Sequence, residues 1–413
     1  MHASTEHARS QLFRWLCGAA GEPATTLSPG EWSWIAEVAR DYRLRPLLHL
    51  RSRAGIGPAF PQDFDEECAR AFATQQMRWL STQAGILRTS RALFDAGVPH
   101  VFLKGAAIGL GVATEPAARP MRDLDILVPP AHAHAARDML LAMGFDSLPG
   151  DLEASLNRGY QQPALIDPAK RLVVELHHDL AALPSQDTAR LAAFVLDSVE
   201  HVPLAGHSVP VSAPCATFLH LLLHAGPKSL FDCGPLLLAD IASLIETQAD
   251  RLGGLADRAA QFGLVPTLAL VVRLLDRHGA KTGGLRIDRS RLPAVPAALV
   301  DHVEGLLVQP VDGVHQRKMV RDARGQGGHT AAVRRVVSRA LLPSRTGIVS
   351  ISGGRIDDRF LWLRYPHWLL RRGGELLSGL RDRSLGEEVV KDRALSRFLL
   401  EEASVSGASP PSP

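Results

Sequence analysis

Cysteine is scarce in this chain: 413 residues carry four, Cys17, Cys68, Cys215 and Cys233, far apart in sequence. They show neither Cys-x-x-Cys nor Cys/His ligand spacing, which argues against a disulfide framework or a zinc site and for buried thiols in a reducing compartment. Net charge is also small, +3, so the molecule as a whole is no electrostatic match for nucleic acid. Long apolar runs are missing. The best candidate, "LVPTLALVVRLL" at 264–275, falls short of the ~18 residues of a membrane span and carries Arg273. The N-terminus, "MHASTEHARSQLFRWLCGAAG", lacks a basic segment followed by a long apolar one, so no signal peptide is expected. A cytoplasmic protein without a membrane span is the expectation, with two or three domains for this length.

Helical patterning fills residues 5–97. "SPGEWSWIAEVARDYRL" opens with Ser28 as N-cap, Pro29 in the first turn and Glu31 three residues after the cap. A longer helix is expected over about 61–97, ending at "DAGVPH". The period then changes. "HVFLKG" (100–105) reads as a short buried strand, "AAIGLGVA" as a short helix, "TEPAARPM" as a loop and "RDLDILV" as a second strand. "AHAHAARDMLLAMGF" is helical with a stop at Gly144, and strands return at 161–167 and 171–178 around the turn "DPAK". From about 213 helices dominate again, and the tail "ASVSGASPPSP" has the composition of a disordered segment.

Two acids stand out. Asp123 and Asp125 flank Leu124 in an apolar run, so on a strand they share one face while Leu124 points to the core. Two carboxylates that close repel unless a cation lies between them. Mg²⁺, with its demand for hard oxygen ligands, suits the pair, and two metals ~3.5–4 Å apart can clamp both oxygens of a phosphoryl transfer. Such a site needs a third acid from a neighbouring strand, and Glu175 in "RLVVELHHDL" is placed for it. The competing reading has the aspartates ion-paired with Arg119 and Arg122. Lys104-Gly105 ends a strand and opens a helix, where free N–H groups, the helix dipole and a lysine favour an anion.

Taken together, "FLKGAAIGL…RPMRDLDILV…VVELHHDL" resembles an uncharacterised bacterial nucleotidyltransferase family of the DNA polymerase β-like superfamily. "FLHLLLHAGPKSLFDCGPLLLADIASLI" is similar to that family's helical segment, with its histidine pair, a basic residue and then an aspartate. The resemblance covers roughly 80–250. It implies an α+β fold, a small mixed β-sheet nucleotidyltransferase core embedded in a mostly α-helical protein. The corresponding divisions are a helical region 1–97, the core 98–212, a helical domain 213–310, a basic helical region 311–402 and the tail 403–413. It implies Asp123, Asp125 and Glu175 as metal ligands and catalytic acids, with Glu175 helping to deprotonate the acceptor hydroxyl. Lys104 and Gly105 would hold the triphosphate. The cofactor would be Mg²⁺, with Mn²⁺ as its alternative, and the substrate an NTP, ATP first. This chain departs from the superfamily in having Gly105-Ala106 where Gly-Ser or Gly-Gly is usual, which removes a hydroxyl contact to phosphate, and in a longer gap from Gly105 to Asp123.

Other residues carry weaker signals. His177 shares the Glu175 face by alternation and could hydrogen-bond that carboxylate. His220 and His224 lie one helical turn apart, and without an evident third ligand they read as buried hydrogen-bonding groups or substrate contacts. Lys228 and Asp240 match the family's positions near the nucleotide or acceptor, and Arg119 and Arg122 could neutralise the leaving pyrophosphate. Residues 317–372 hold thirteen Lys/Arg against three acids, with Phe360, Trp362, Tyr365 and Trp368 among them. That stretch is either a solvated or inter-helix face or a surface for an acidic partner or nucleic acid. The expected activity is transfer of an NMP, AMP from ATP first, to a hydroxyl or phosphate of a small molecule, peptide, protein or RNA. Alternatives are a toxin–antitoxin type transferase and a non-catalytic nucleotide- or RNA-binding protein that keeps the fold.

Overall fold

The computed structural model describes residues 2–19, 26–169, 172–181, 183, 188–310, 361–366, 368, 370 and 383–405. The chain divides into two compact units, Met1–Val308 with Phe398–Pro413, and Gln309–Arg397. In the second unit the described part includes a 3-10 turn at Leu361–Arg364, an exposed Trp362, and a buried Trp368 whose ring stacks on Tyr365 at 6.1 Å. Most of the basic stretch 317–372 lies outside the described residues, as does the tail beyond Val405.

The first unit opens with four helices: α1 (His2–Leu16), α2 (Pro29–Asp41), α3 (Arg45–Arg53) and α4 (Gln62–Asp95). The start of α2 follows the capping chemistry in the sequence: the Glu31 amide donates to Ser28 Oγ at 3.3 Å, and the Ser28 amide donates to Glu31 Oε2 at 2.7 Å. Both orphan donors of the first turn are thereby satisfied.

The sheet follows, laced with helices. Its strands are β1 (Val101–Phe102), β2 (Leu124–Leu127), β3 (Asp146–Ser147), β4 (Leu165–Ile166), β5 (Val173–His177), β6 (Val199–Leu204) and β7 (His207–Ser212). Helices α5 (Lys104–Gly111), α6 (Ala133–Ala142), α7 (Leu152–Arg158) and α8 (Thr188–Asp197) connect them. The spatial order is β3-β4-β5-β2-β1-β7-β6, with β2/β5 and β1/β7 parallel and the other pairs antiparallel. Strand β2 begins two residues later than the sequence suggests, so Asp123 sits just before it. Strand β1 is shorter too, because Lys104 already belongs to α5.

Alternation sorts the two faces of the central strands. Leu124, Ile126 and Val128 from the β2 segment, and Val174 and Leu176 from β5, bury against Ile86 and Leu93 of α4 and Leu140 of α6. Each fully buried aliphatic side chain contributes about 1.5–3 kcal/mol, which fixes the register, since a one-residue slip would turn every apolar group outward. After β7 the chain returns to helices: α9 (Pro214–Leu223), a π-helical turn at His224–Lys228, α10 (Leu236–Gln248), α11 (Leu255–Gln261), α12 (Val265–Arg277) and α13 (Ala297–Leu307). No helix among the described residues is long and apolar enough to cross a membrane.

Candidate active site

The register of the two parallel strands builds the centre of the site. Asp125 pairs with Glu175 and Leu127 with His177, so Asp125, Glu175 and His177 project from the sheet face opposite the apolar core. Strand β1 runs antiparallel to β2, and the Leu103 amide donates to the Asp125 carbonyl at 3.0 Å. The next residue, Lys104, therefore opens α5 directly beside the acids. It does so with φ at +41°, a left-handed value that costs a non-glycine residue of order 1–3 kcal/mol and is found preferentially at functional turns.

Asp125 is the hub. Its Oδ1 accepts from Lys104 Nζ at 2.6 Å and from His177 Nε2 at 2.8 Å, with the carboxylate buried. The same His177 nitrogen lies 3.6 Å from Glu175 Oε2. Burial works to raise the Asp125 carboxyl, but the Lys104 ammonium and His177 hold it well below the usual carboxylate range. Glu175 is held low chiefly by His177. Asp123 behaves oppositely: burial first, then repulsion from Asp125 and Glu175, raises its carboxyl above the ordinary value. Three acids thus share a pocket whose nearby lysine is already committed to one of them.

Facing the acids is a wall from the helical segment. Burial and Lys104 push His224 down to about 3, and His220, fully enclosed, is depressed well below its ordinary value for the same reasons. Lys228, at the end of the π-helical turn, sits 4.1 Å above the Tyr160 ring centroid and donates to the Leu180 carbonyl at 3.3 Å. Tyr160 also stacks on His177, with ring centroids 5.9 Å apart. Burial and the Lys104 charge bring Lys228 down to about 8.

Other residues singled out in the sequence fall as follows. Arg119 makes a two-pronged ion pair with Asp240, Nε to Oδ1 and Nη2 to Oδ2, both 2.7 Å, and not with Asp123 or Asp125. Arg122 is exposed. Gly105 has no room for a side chain, because a Cβ there would lie 2.5 Å from Met121 Sδ and 2.8 Å from Arg119 Nη1. Tyr160 escaped the sequence reading. Its one signal is rarity, as one of three tyrosines, beside Gly159. Of the four thiols expected to be buried, Cys17 and Cys68 are buried and Cys215 and Cys233 are partly exposed; all four are free.

The donor set suits a divalent cation. Ligand atoms of Asp125, Glu175 and His177 lie within 4.8 Å of one another. Asp123 lies outside that cluster, and burial together with repulsion from Asp125 and Glu175 raises its carboxyl. Hard carboxylate oxygens on adjacent strands are the ligands that Mg²⁺ or Mn²⁺ favours.

A mixed sheet presenting acids from two adjacent parallel strands, beside a glycine turn at a helix start, has the make-up of a nucleotide-handling transferase. The family model described as "Uncharacterised nucleotidyltransferase" matches residues 28–278, from the Ser28 cap of α2 to the end of α12. The chain belongs to this uncharacterised nucleotidyltransferase family and is an enzyme of nucleotidyl transfer acting on a nucleotide substrate. No curated protein matches it.

Proposed function

We propose that the protein moves a nucleoside monophosphate, AMP from ATP, onto a hydroxyl or phosphate oxygen of an acceptor and releases pyrophosphate. The observation that carries this reading is the in-register pairing of Asp125 with Glu175 on one sheet face, with Asp123 two residues away and the Lys104–Gly105 turn alongside. In the reaction the acceptor oxygen bonds to the α-phosphorus, the α–β anhydride bond breaks, and the acceptor proton leaves. Asp123, Asp125 and Glu175 would hold Mg²⁺, which when bound supplies neutralisation of the charge on the reacting phosphate oxygens.

The chain's own groups do the rest. Glu175, held low by His177, is ionised near neutrality and fits a proton acceptor at the acceptor oxygen. His177 steadies both Asp125 and Glu175 through one ring nitrogen. Gly105 lies packed beneath Met121 and Arg119 at the start of α5, and the positive end of that helix, with Lys104, favours the phosphate. Lys228, at the edge of the same pocket, places a positive charge for the departing pyrophosphate, and exposed Arg122 can add another.

The test is incubation with each α-³²P-labelled NTP, Mg²⁺ and a cell lysate. Label is expected in an acceptor from ATP, lost in Asp123→Asn, with the chemical nature of the labelled species naming the acceptor class. Release of γ-phosphate alone, or Mg²⁺-dependent ATP binding unchanged in Asp123→Asn, overturns the reading.

A further inference from the structure

Arg119 has the residue type of a phosphate ligand, but its geometry assigns it other work. Two of its three guanidinium nitrogens are taken by one carboxylate, Asp240, in the parallel fork that is among the strongest of charged contacts. The third, Nη1, lies against the Cα of Gly105, where an added Cβ would meet it at 2.8 Å. Both partners are enclosed, with side-chain exposures of 17% and 6%. Asp240 sits among Leu237, Leu238, Ile241 and Leu244 on the buried side of α10, where an acid without a partner would be costly.

The pair spans 121 residues of sequence and ties two parts of one compact unit. Arg119 follows the 3-10 turn Pro116–Ala118 and precedes Asp123 by four residues. Met121, between them, is the other side chain that closes over Gly105. Fixing the guanidinium therefore fixes the end of this loop, the Gly105 turn beneath it and the point where Asp123 enters the site.

We infer that Arg119 and Asp240 are a positioning pair. Anchored on the helical segment, they hold Asp123 and the Lys104–Gly105 turn in the geometry that binds metal-complexed nucleotide, and Arg119 does not contact phosphate. The inference rests on the proposed reading of the acids as the metal–nucleotide site. Lysine cannot replace Arg119, because a point charge does not reproduce the fork.

Arg119→Gln, Asp240→Asn, the double variant, Arg119→Lys and Asp240→Glu would each be compared with wild type. The readouts are Mg·ATP affinity by calorimetry and Mn²⁺ binding by electron paramagnetic resonance, both well below each variant's own Tm. The two truncations are expected to weaken Mg·ATP binding by about tenfold or more each, the range typical for groups that orient metal ligands. The double variant should be no weaker than either single one, and Asp240→Glu should recover most of the loss. Arg119→Lys, which keeps the charge, should bind as poorly as Arg119→Gln, and it reports even if the truncations do not fold.

Asp240→Asn binding like wild type while Arg119→Gln is strongly weakened would make Arg119 a direct ligand and overturn the inference. So would variants that melt earlier yet bind Mg·ATP like wild type, or Arg119→Lys at wild-type affinity. Failure of the wild-type protein itself to bind Mg²⁺ complexes of all four NTPs would instead overturn the underlying site reading, and the inference with it.

Discussion

Replacing Lys104 by methionine isolates the charge balance of the pocket. Lys104 Nζ and Asp125 Oδ1 are 2.6 Å apart, with side-chain exposures of 17% and 3%. Removing one partner of a buried pair commonly costs 3–5 kcal/mol, because the other charge stays buried and uncompensated. His177 remains on Asp125 at 2.8 Å, so the lower end applies, about 3 kcal/mol. At roughly 2–4 °C per kcal/mol, Lys104→Met should melt about 6–12 °C below wild type in EDTA. Backbone strain does not soften this, since methionine inherits the same left-handed φ. Mg²⁺ changes the comparison. If the acids hold the cation, it takes over the neutralisation that the ammonium supplied, and a ligand at a hundred times its Kd stabilises by about 2.7 kcal/mol. Calorimetric scans with and without Mg²⁺ should therefore show a larger Mg²⁺-induced rise in Lys104→Met than in wild type. The double variant Lys104→Met/Asp125→Asn, lacking both charges, should recover much of the stability in EDTA and lose the response to Mg²⁺. Lys104→Met melting within about 2 °C of wild type in EDTA, or an equal Mg²⁺ shift in both proteins, would refute the reasoning.

Lys228 gives a pH signature with opposite signs in two assays. Its folded value of about 8 lies below the ordinary 10.5, so the ammonium form is disfavoured by folding and the ligand-free protein should gain stability as pH rises through 8. An anion favours that same ammonium, so ATP affinity should be full below pH 8 and fall above it; Lys228→Met should flatten both curves in titrations from pH 7 to 10. Glu175→Gln should cut label transfer by about 10²–10⁴-fold while the protein still folds, as read by single-turnover kinetics and circular dichroism. Tyr160→Leu should weaken ATP binding about fivefold through the lost support of Lys228, a cation–π contact of about 1 kcal/mol, whereas Tyr160→Phe should be nearly neutral by calorimetry. Burial pushes the Cys17, Cys68 and Cys233 thiols up to about 12, so a disulfide reagent should react slowly with the native protein and release a full four-thiol signal only in denaturant.

The parts of the fold that were readable in the sequence are those that follow local rules. The α2 cap needs only Ser28, Pro29 and Glu31, and the facing of Asp125 and Glu175 needs only the period of a strand. The β6–β7 hairpin obeyed a rule that its own composition concealed. Pro203 and Pro210 lie within its strands, where proline ordinarily argues against pairing, and its turn is Ala205-Gly206, both with positive φ, in place of the usual Asn-Gly. Strand β3, two exposed residues long, has no period to detect.

Contacts set by packing were beyond such reading. Asp240 could be matched by position but not joined to Arg119, since nothing local relates residues 121 apart. The same limit explains why Arg119 looked like a phosphate ligand. An arginine upstream of two aspartates has two plausible roles, and only the position of α10 decides which one its nitrogens can serve. Charge arithmetic makes that choice consequential. With Arg119 paired to Asp240 and Lys104 to Asp125, their attraction does not offset burial and repulsion at Asp123, whose carboxyl alone among the three acids is driven upward. Under the proposed reading, with Lys104 and Arg119 each engaged by one carboxylate, the three acids would take up one further cation, and the Mg²⁺ dependence of Lys104→Met melting tests that.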